Sequence, residues 1–208
     1  MTIFYFVRHA ATDFLGWKIS GRAPEVHIND SGRKQAAQLP SRFGARRIDA
    51  VYCSPQTRAR ETAQPLADCA GKDVVIAGEL DELDFGSWTG KTYDELSGLP
   101  EWRRFNSARG TTRIPDGELL LEVQARIIAF TERIYQRDAA ASIVIVSHGD
   151  VIRAALTFFL GMPLEFMPRF EVSPASTSIV TMDAGNPRVL CVNSMTNDTR
   201  DKCSRAEW

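Results

Sequence analysis

The chain has 208 residues, of which 44% are hydrophobic and 25% are charged, and its net charge at pH 7 is −1. This is the composition of an ordinary globular protein, and the near-zero net charge argues against nonspecific binding to nucleic acid or to a membrane. No apolar run reaches the ~18 residues that a membrane span needs. We expect a single domain over residues 1–195, a polar tail over residues 196–208, and neither a nucleic-acid nor a membrane partner. The sequence leaves a homodimer open.

The four cysteines show no pattern that would indicate a metal site or a disulfide framework. They include no CxxC pair, and no histidine lies near any of them at metal-ligand spacing. Their positions are Cys53, Cys69, Cys191 and Cys203. The N-terminal apolar run is too short for a secretory signal peptide, and its arginine lies on the wrong side. We therefore expect no metal, no cofactor and a cytoplasmic location.

The first half of the chain alternates apolar runs with helical patterns. "TIFYFV" predicts a buried strand that ends at Arg8-His9, and a loop follows to about residue 29. Asn29 is a good helix cap, and Pro55 suits the first turn of another helix. The predicted strands of this half are 2–7, 49–54 and 73–77, and the predicted helices run from Asn29 to about Phe43 and from Pro55 to about Ala70.

The second half contains an irregular segment and then resumes the alternation. Residues 80–116 are rich in glycine, proline and aromatic residues, which predicts a cap or loop region over the sheet with one or two short helices. An amphipathic helix is predicted for residues 117–137 because its apolar residues recur at helical spacing. The remaining predicted elements are a strand at 142–147, a helix to about Leu160, and strands near 169–173, 177–183 and 188–193. This alternation predicts an α/β protein, a three-layer α/β/α sandwich with a mainly parallel central sheet.

Two of the three histidines directly follow predicted strands. His9 comes after Arg8 at the end of the first strand, and His148 follows "SIVIVS". In such sheets ligands bind beyond the carboxyl ends of the strands, and Arg58, early in the helix after the second strand, lies close to that edge. Two imidazoles and two guanidiniums at one place suit a phosphoryl group, whose oxygens arginine contacts bidentately. We expect Arg60 to face solvent instead.

Turnover of a phosphoryl group needs a nucleophile and a proton donor. A neutral imidazole is a competent nucleophile near pH 7. The donor must be an acid near the leaving oxygen, and "LDELDFGSW" offers Asp81, Glu82 and Asp84 after the third strand. The stretch itself leaves these three carboxylates as alternatives.

Four motifs, taken in order, resemble those of the histidine phosphatase superfamily, also called phosphoglycerate-mutase-like. They are "RHAAT" at 8–12, "SPQTRARETA" at 54–63, "LDELDFGSWTG" at 80–90 and "SHG" at 147–149. The resemblance spans about residues 2–195, and it implies a phosphoglycerate-mutase-like fold and a metal-independent phosphohistidine mechanism, with His9 as nucleophile and Glu82 as proton donor. The implied catalytic residues are Arg8, His9, Arg58, Glu82 and His148, and the implied substrate-binding residues are Thr12, Gly21, Arg22 and Arg58.

The chain departs from the family pattern at three positions. Ala10 replaces the usual glycine after the nucleophile, which is tolerated if the backbone angle there is ordinary and the phosphate does not need the space of the methyl group. Leu15 stands where mutase-like members usually carry asparagine. Leu119 replaces the serine of a Gly-Glu-Ser motif, so any contact made by that serine is lost.

Some of the implied or neighbouring residues have a purely structural alternative. Thr12 can form a turn instead of binding phosphate, and Arg22 can be a surface-loop residue. We expect His27 to be structural. The "EWRRF" stretch leaves two roles open for Arg103 and Arg104, a contact with a substrate carboxylate or a solvated surface.

The main hypothesis is a phosphomonoester hydrolase that acts on a small phosphorylated metabolite through a phosphohistidine. A phosphoglycerate-type phosphomutase would use the same site. Leu15 and the short segment between Glu82 and His148 favour hydrolysis, because the true mutases that the chain resembles carry a longer insertion there. A third hypothesis is a noncatalytic phosphate-binding module, and the presence of both His9 and Glu82 argues against it.

Overall fold

The predicted strands meet in one six-stranded sheet within residues 1–196, the part of the chain that the computed structural model describes. The strands are β1 (Thr2–Arg8), β2 (Ala50–Cys53), β3 (Val74–Ile76), β4 (Ser142–Ser147), β5 (Thr177–Asp183) and β6 (Asn186–Ser194). The helices are α1 (Asp30–Phe43), α2 (Thr57–Ala70), α3 (Tyr93–Ser97), α4 (Pro100–Ser107), α5 (Leu120–Arg137) and α6 (Gly149–Phe159). Short 3-10 helices cover Gly78–Leu80, Gly86–Trp88 and Leu164–Arg169.

The order of the strands places the two histidine-bearing strands side by side. The order is β3-β2-β4-β1-β5-β6, and the first four of these strands run parallel. β5 runs antiparallel to β1, and β6 antiparallel to β5. The mainly parallel sheet of the prediction is therefore confirmed. The register between β1 and β4 pairs Arg8 with Ser147, so His9 and His148 follow as neighbours at the carboxyl edge.

Successive residues of β1 point to opposite faces of the sheet, as strand geometry requires. Phe4 and Phe6 pack into one apolar cluster with residues of α5 and α6, whereas Tyr5 and Val7 pack into a second cluster with residues of α1 and α2. Both faces of the strand are thus covered, which explains its continuous apolar run. Each large apolar side chain that is fully buried in this way contributes about 1.5–3 kcal/mol. The helices on both faces form the predicted three layers.

α1 begins where the sequence predicted, whereas α2 begins two residues later than predicted, because Pro55 precedes the N-cap Gln56 and does not lie in the first turn. The Asn29 side chain caps α1 by accepting a hydrogen bond from the N–H of Gly32 at 2.9 Å, and such a cap is worth ~1 kcal/mol. α2 begins at Thr57, two residues after Pro55, and ends before Gly71, which has the left-handed backbone conformation at φ 62°. This start places Arg58 in the first turn of α2, at the carboxyl edge of the sheet.

The segment 80–116 belongs to the core as well as covering it. Leu83, Trp88, Phe105 and Ile114 are at most 2% exposed and belong to the same cluster as the phenylalanines of β1. The Trp88 ring makes edge contacts with the rings of Trp102 at 5.3 Å and Phe105 at 5.5 Å. The predicted short helices are α3 and α4. This packing fixes the loop that carries the candidate acids.

The predicted strand at 169–173 is wrong. The 3-10 helix Leu164–Arg169 occupies its start, and the following residues up to Ser173 have no regular structure. Side chains take the backbone groups that a neighbouring strand would need. The carbonyl of Val172 accepts a hydrogen bond from Nη1 of Arg8 at 2.7 Å, and the N–H of Ser173 donates to an asparagine side chain.

Residues 197–208 of the predicted polar tail, including Cys203, lie outside the described part of the chain. Cys53, Cys69 and Cys191 are free thiols. Within residues 1–196, no helix combines the length and the apolar character needed to cross a lipid bilayer.

Candidate active site

His9 lies directly after β1, with its imidazole in the neutral form. Its Nδ1 donates a hydrogen bond to the carbonyl oxygen of Ala10 at 2.8 Å, which leaves Nε2 as the nitrogen without a proton. Burial and the charges of Arg58 and Arg8 hold the pKa of His9 well below its usual range. The backbone at Ala10 does not have a positive φ, so the methyl group introduced by this departure adds no strain there. Nε2 is therefore available as a nucleophile near neutral pH.

β4 brings the second imidazole beside the first. The ring centres of His9 and His148 are 5.2 Å apart. Nε2 of His148 lies 2.7 Å from Oγ of Ser54, and its Nδ1 lies 3.2 Å from Nη2 of Arg58. Because a guanidinium only donates, Nδ1 accepts this hydrogen bond and Nε2 donates to Ser54. Burial and the Arg58 charge hold the pKa of His148 well below its usual range, so it too is neutral.

Arg58 is fully buried, yet two of its nitrogen atoms have no partner. Nη2 donates to the carbonyl of Gly21 at 2.7 Å, whereas Nε and Nη1 bond to no group within residues 1–196. Leaving a buried donor unpaired costs ~1–3 kcal/mol, and more when the donor is charged. These donors therefore indicate an anionic ligand. Arg60 is exposed on the same helix, which confirms the predicted helix face.

Arg8 presents a further unpaired donor to the same place. Its Nη1 donates to the carbonyl of Val172 at 2.7 Å, and its buried Nε has no partner among residues 1–196. A Cβ atom at Gly149 would lie 3.3 Å from Cζ and Nε of Arg8, so the glycine leaves room for this guanidinium. Arg8 and Arg58 together offer three unpaired nitrogens beside the neutral His9, an arrangement that suits the oxygens of a phosphoryl group.

Of the three carboxylates that the sequence left open, only that of Glu82 lines the cavity at this edge. Glu82 is 8% exposed, its Oε1 accepts a hydrogen bond from the N–H of Leu83 at 2.9 Å, and its Oε2 lies 3.5 Å from Nδ1 of His148. Burial and the nearby Asp150 carboxylate raise the pKa of Glu82 to about 7. Both protonation states of Glu82 are therefore populated near neutral pH, as a residue that donates and then accepts a proton requires.

The two neighbouring carboxylates anchor the backbone of the loop instead. Oδ1 of Asp81 accepts hydrogen bonds from the side-chain amide of Gln56 at 2.7 Å and from the N–H of Glu82 at 2.8 Å. Oδ1 of Asp84 accepts one from the N–H of Gly86 at 2.9 Å. These bonds hold the loop and leave the Glu82 carboxylate turned to the cavity.

The cavity favours an anion over a cation. Arg8, His9 and Glu82 line a space of about 130 Å³, with Arg58 and His148 buried next to it. Ligand atoms of His9, Glu82 and His148 lie within 4.8 Å of one another, which could hold a metal ion by geometry alone. The two guanidiniums oppose a cation there and leave donors that only an acceptor satisfies. The arrangement can bind a phosphoryl group, attack it and protonate its leaving oxygen.

A sequence model of the histidine phosphatase superfamily (branch 1) matches residues 4–195 of the chain. The chain belongs to this superfamily. Phosphoserine phosphatase 1 of Hydrogenobacter thermophilus is 29% identical over 192 residues, with 90% of each chain covered. A probable phosphoglycerate mutase of Enterobacter sp. is 29% identical over 177 residues, which cover 84% of this chain and 82% of that protein.

Solved structures show the same relationship. The crystal structure of a phosphoserine phosphatase mutant from Entamoeba histolytica in complex with phosphoserine superposes with a TM-score of 0.85. The two sequences are 25% identical, and the match covers 95% of this chain and 99% of the other. These comparisons confirm the predicted family and fold, and the phosphatase-named relatives support the predicted class, a phosphoric monoester hydrolase.

The structure brings two of the other predicted substrate-binding residues of this histidine phosphatase into the cavity and leaves one outside. Thr12, which is 5% exposed, and Gly21 both line it. Arg22 does not line the cavity. Its Nε donates to the backbone carbonyl of Glu82 at 2.9 Å, and its Nη2 donates to Oε2 of Glu118 at 2.8 Å. Arg22 therefore contacts the loop of the candidate acid.

Arg126 and Glu118 complete a set of contacts on the same carbonyl, and we call Arg22, Glu118 and Arg126 the Glu82 clamp. Nη2 of Arg126 lies 3.1 Å from the carbonyl oxygen of Glu82 and 3.3 Å from Oε2 of Glu118. The same Oε2 accepts a hydrogen bond from the N–H of Asp84 at 3.0 Å. The family resemblance included Arg22 and Glu118 but did not predict this clamp, and Arg126 lies outside all four motifs. The sequence signal that was available for the third member is the position of Arg126 beside the apolar face of α5.

The rest of the cavity lining, which we call the outer half, was missing from the prediction except for Leu15. Its lining includes Phe14, Leu15, Lys18, Ile19, Phe85, Tyr93, Asp150 and Arg153. Asp150 and Arg153 follow "SHG" within the first turns of α6, so extending that motif by one helical turn would have found them.

Three residues near the motifs lie away from the cavity of this phosphatase. Nδ1 of His27 lies 2.6 Å from Oε1 of Glu61, which fits the expected structural role. Nη2 of Arg103 donates to the carbonyl of Gly98 at 3.0 Å. Arg103 and Arg104 are exposed and do not line the cavity, which favours the solvated-surface alternative.

Proposed function

We propose that this histidine phosphatase hydrolyses small phosphomonoesters through a phosphohistidine on His9. The observation that carries the proposal is the group of three buried, unpaired nitrogens of Arg8 and Arg58 beside the neutral imidazole. Donors held in this way stabilise the charge on the phosphoryl oxygens in the transition state. A cavity of about 130 Å³ is also small beside the ~300–1,000 Å³ of typical ligand pockets, which favours a small substrate.

In the first step Nε2 of His9 attacks phosphorus, and the P–N bond forms as the bond to the leaving oxygen breaks. Arg8 and Arg58 hold the phosphoryl oxygens, and Nδ1 of the neutral His148 keeps Nη2 of Arg58 in place beside them. Protonated Glu82 gives its proton to the leaving oxygen, which departs as an alcohol.

In the second step the ionised Glu82 takes a proton from water as the water oxygen attacks phosphorus. The P–N bond breaks, inorganic phosphate is released, and both His9 and Glu82 return to their starting forms. A pKa of about 7 lets one carboxyl serve both steps near neutral pH.

We also propose that the Glu82 clamp positions the acid without touching the substrate. Two guanidiniums bond the backbone carbonyl of Glu82, and the Glu118 carboxylate holds both of them. Arg126 belongs to α5, and Arg22 belongs to the loop that follows β1. The clamp therefore ties the loop of Glu82 to both of these elements. A displacement of a catalytic group by ~1 Å can cost ~10²-fold in rate.

Arg22→Ala is expected to lower kcat/KM for an alkyl phosphate ~10-fold, because one of the two bonds that fix the Glu82 backbone is lost. The loss for p-nitrophenyl phosphate should be smaller, because its leaving group needs little protonation. Arg22→Lys should recover part of the activity. Arg47→Ala, which removes an exposed ion pair with Asp49, is the control. Equal losses for both substrates would show that Arg22 does not act through the acid.

The pH dependence of kcat/KM for an alkyl phosphate is expected to fall above about pH 7, where Glu82 loses the proton that it must donate. His9 must be neutral, and its lowered pKa keeps it neutral to well below pH 6.5, so it adds no acid limb near neutrality. Glu82→Gln should abolish the alkaline limb. The measurement is a pH series with wild type and Glu82→Gln. An alkaline limb that persists unchanged in the variant would assign it to another group.

Phosphatase activity is expected to survive EDTA, because the guanidiniums of Arg8 and Arg58 supply the positive charge that a metal would otherwise provide. The measurement is p-nitrophenyl phosphate turnover before and after chelation and gel filtration. Loss of turnover that one divalent ion restores would contradict this expectation and would point to His9, Glu82 and His148 as ligands.

Product analysis separates the proposed hydrolase from its alternatives. A hydrolase releases one inorganic phosphate for each phosphomonoester consumed and forms an acid-labile phosphoenzyme. A mutase converts 3-phosphoglycerate to its 2-isomer with little phosphate release, in line with the relative named probable phosphoglycerate mutase. A binding module turns over neither p-nitrophenyl phosphate nor phosphoglycerate. Either of the last two results would overturn the proposal.

The cysteines and the sheet bear on the compartment and the domain organisation of the enzyme. The free thiols of Cys53, Cys69 and Cys191 suit a reducing compartment, and we propose the cytoplasm. One sheet joins both ends of the 1–195 segment, since β1 pairs with β4 and β5, which supports the proposed single domain. The homodimer remains a prediction.

A further inference from the structure

The outer half of the cavity carries a pair of opposite charges on α6. Asp150 and Arg153 both line the cavity, and their i,i+3 spacing puts them on one face of the helix. Each side chain is 20% exposed. The mechanism directs the leaving oxygen to Glu82, which lines the same cavity, so the rest of the leaving group occupies this outer half.

Neither charged side chain is fully paired within the part of the chain that the structure describes. Among residues 1–196, the one ion pair of Asp150 is to Nη1 of Arg153 at 3.7 Å, which is longer than a hydrogen bond. Nη2 of Arg153 lies 3.1 Å from Oε2 of Glu171, a side chain that is 73% exposed, and the buried Nε of Arg153 has no partner in that part of the chain. The carboxylate of Asp150 and Nε of Arg153 can therefore both bond to a ligand.

The remaining lining suits a short carbon chain. Phe14, Leu15, Ile19 and Phe85 supply apolar walls, and the whole cavity holds about 130 Å³. Lys18 adds a second cation, with Nζ 4.7 Å from the centre of the Phe14 ring. The outer half thus combines a small apolar space, one anion and two cations.

We infer that Asp150 and Arg153 form a subsite for the leaving group, and that the substrate is a small O-phosphorylated amino acid. Asp150 would bind the ammonium group, and Arg153 would bind the carboxylate through Nε, with Lys18 nearby. This inference rests on the proposed phosphatase function and names its substrate class.

A helix-stabilising role alone would also place an acid and an arginine at this spacing. α1 shows that case, because Asp30 in its first turn pairs with Arg33 at i,i+3. Those two side chains are 89% and 61% exposed and do not line the catalytic cavity. The Asp30–Arg33 pair is therefore a matched control for the Asp150–Arg153 pair.

Four substrates with similar leaving oxygens separate the two charges. O-phosphoserine carries the ammonium and the carboxylate, 3-phosphooxypropionate the carboxylate, phosphoethanolamine the ammonium, and propyl phosphate neither. The readout is the ratio of kcat/KM values between substrates, because a change in the strength of the Glu82 acid affects all four together and cancels in the ratio. p-Nitrophenyl phosphate monitors the underlying phosphatase activity.

For the wild type, phosphoserine is expected to exceed 3-phosphooxypropionate, and also phosphoethanolamine, by ~10-fold or more, since hydrogen bonds to charged groups are among the strong ones. Asp150→Asn should lower the phosphoserine to 3-phosphooxypropionate ratio ~10-fold, and Arg153→Gln should lower the phosphoserine to phosphoethanolamine ratio by a similar factor. Asp30→Asn and Arg33→Gln should leave both ratios at the wild-type value.

Two outcomes separate the subsite from the proposed function. If p-nitrophenyl phosphate is hydrolysed but the wild type treats the four substrates alike, or the Asp150 and Arg153 variants keep both ratios, the subsite is refuted and the phosphatase stands. If none of the phosphomonoesters, p-nitrophenyl phosphate included, releases phosphate, both are refuted. If Asp30→Asn shifts the ratios as much as Asp150→Asn does, the effect comes from helix stability and not from contact with the substrate, and the subsite is again refuted.

Discussion

Replacement of Glu82 by glutamine is expected to lower kcat/KM for alkyl phosphates by ~10²–10⁴-fold, the usual contribution of a positioned proton donor. Glutamine keeps the shape of the side chain and cannot transfer a proton. kcat/KM for p-nitrophenyl phosphate should fall much less, because that leaving group needs little protonation. The measurement is steady-state kinetics on both substrates, with Asp84→Asn as a control whose side chain holds the loop outside the cavity.

The same variant should also accumulate the covalent intermediate. Without Glu82 no base activates water, so phosphate transferred from p-nitrophenyl phosphate remains on His9 and kcat falls. The adduct should be acid-labile and base-stable, and it should be absent in His9→Ala. If Glu82→Gln hydrolyses both substrates at the wild-type rate while Asp81→Asn or Asp84→Asn does not, the acid is misassigned within "LDELDFGSW".

Arg58→Ala is expected to lower kcat/KM by ~10²–10³-fold for alkyl and aryl phosphates alike, because its contacts strengthen as charge develops on the phosphoryl oxygens. Arg60→Ala, two residues along the same helix, removes an exposed side chain and should have little effect. The measurement is kcat/KM for both variants on p-nitrophenyl phosphate. This substrate tests the contacts to the phosphoryl group, because its leaving group needs little protonation by Glu82.

Arg58 is fully buried, so its removal also changes packing. Thermal unfolding of the variant separates a folding defect from a catalytic one, and Arg58→Lys provides a second test. Lysine keeps the charge and loses the fork that contacts two oxygens, so Arg58→Lys should remain far below the wild type in kcat/KM. Equal and mild effects of Arg58→Ala and Arg60→Ala would contradict the phosphate-facing role of Arg58.

The central part of the site could be predicted because its residues are tied to strand ends. The apolar runs of β1 and β4 are local signals, and a parallel pair of strands brings their carboxyl ends to one edge. The observed register, with Arg8 opposite Ser147, then makes His9 and His148 neighbours. Pro55 and the helical pattern after it placed Arg58 in the first turn of α2.

The strand predicted at 169–173 was wrong because the prediction used only the local sequence pattern, whereas the backbone hydrogen bonds of this segment go to distant residues. A short apolar stretch has the composition of a strand, and whether it joins the sheet depends on a neighbour with free backbone groups. The Val172 carbonyl already bonds Arg8, and the N–H of Ser173 bonds Asn193. These partners lie 164 and 20 positions away, which no local pattern can report.

The choice among Asp81, Glu82 and Asp84 could be predicted only in part from the residues themselves. Spacing within "LDELDFGSW" offered three acids, and only the family resemblance selected Glu82. The structure places Glu82 in the cavity because Asp81 and Asp84 bond to loop groups. Burial within that packing raises the pKa of Glu82 to about 7.

The amino-acid sequence alone predicted the α/β class, His9 as the candidate nucleophile and the arginines around it, because each follows from a short motif at the end of a strand or the start of a helix. Packing between distant segments decided the rest. Arg22 meets Glu82 and Glu118 across 60 and 96 positions of the chain, and so acts on the loop of the acid instead of lining the cavity. The direction of such a side chain depends on which neighbour satisfies its hydrogen bonds after the chain has folded, and local periodicity carries no record of that neighbour.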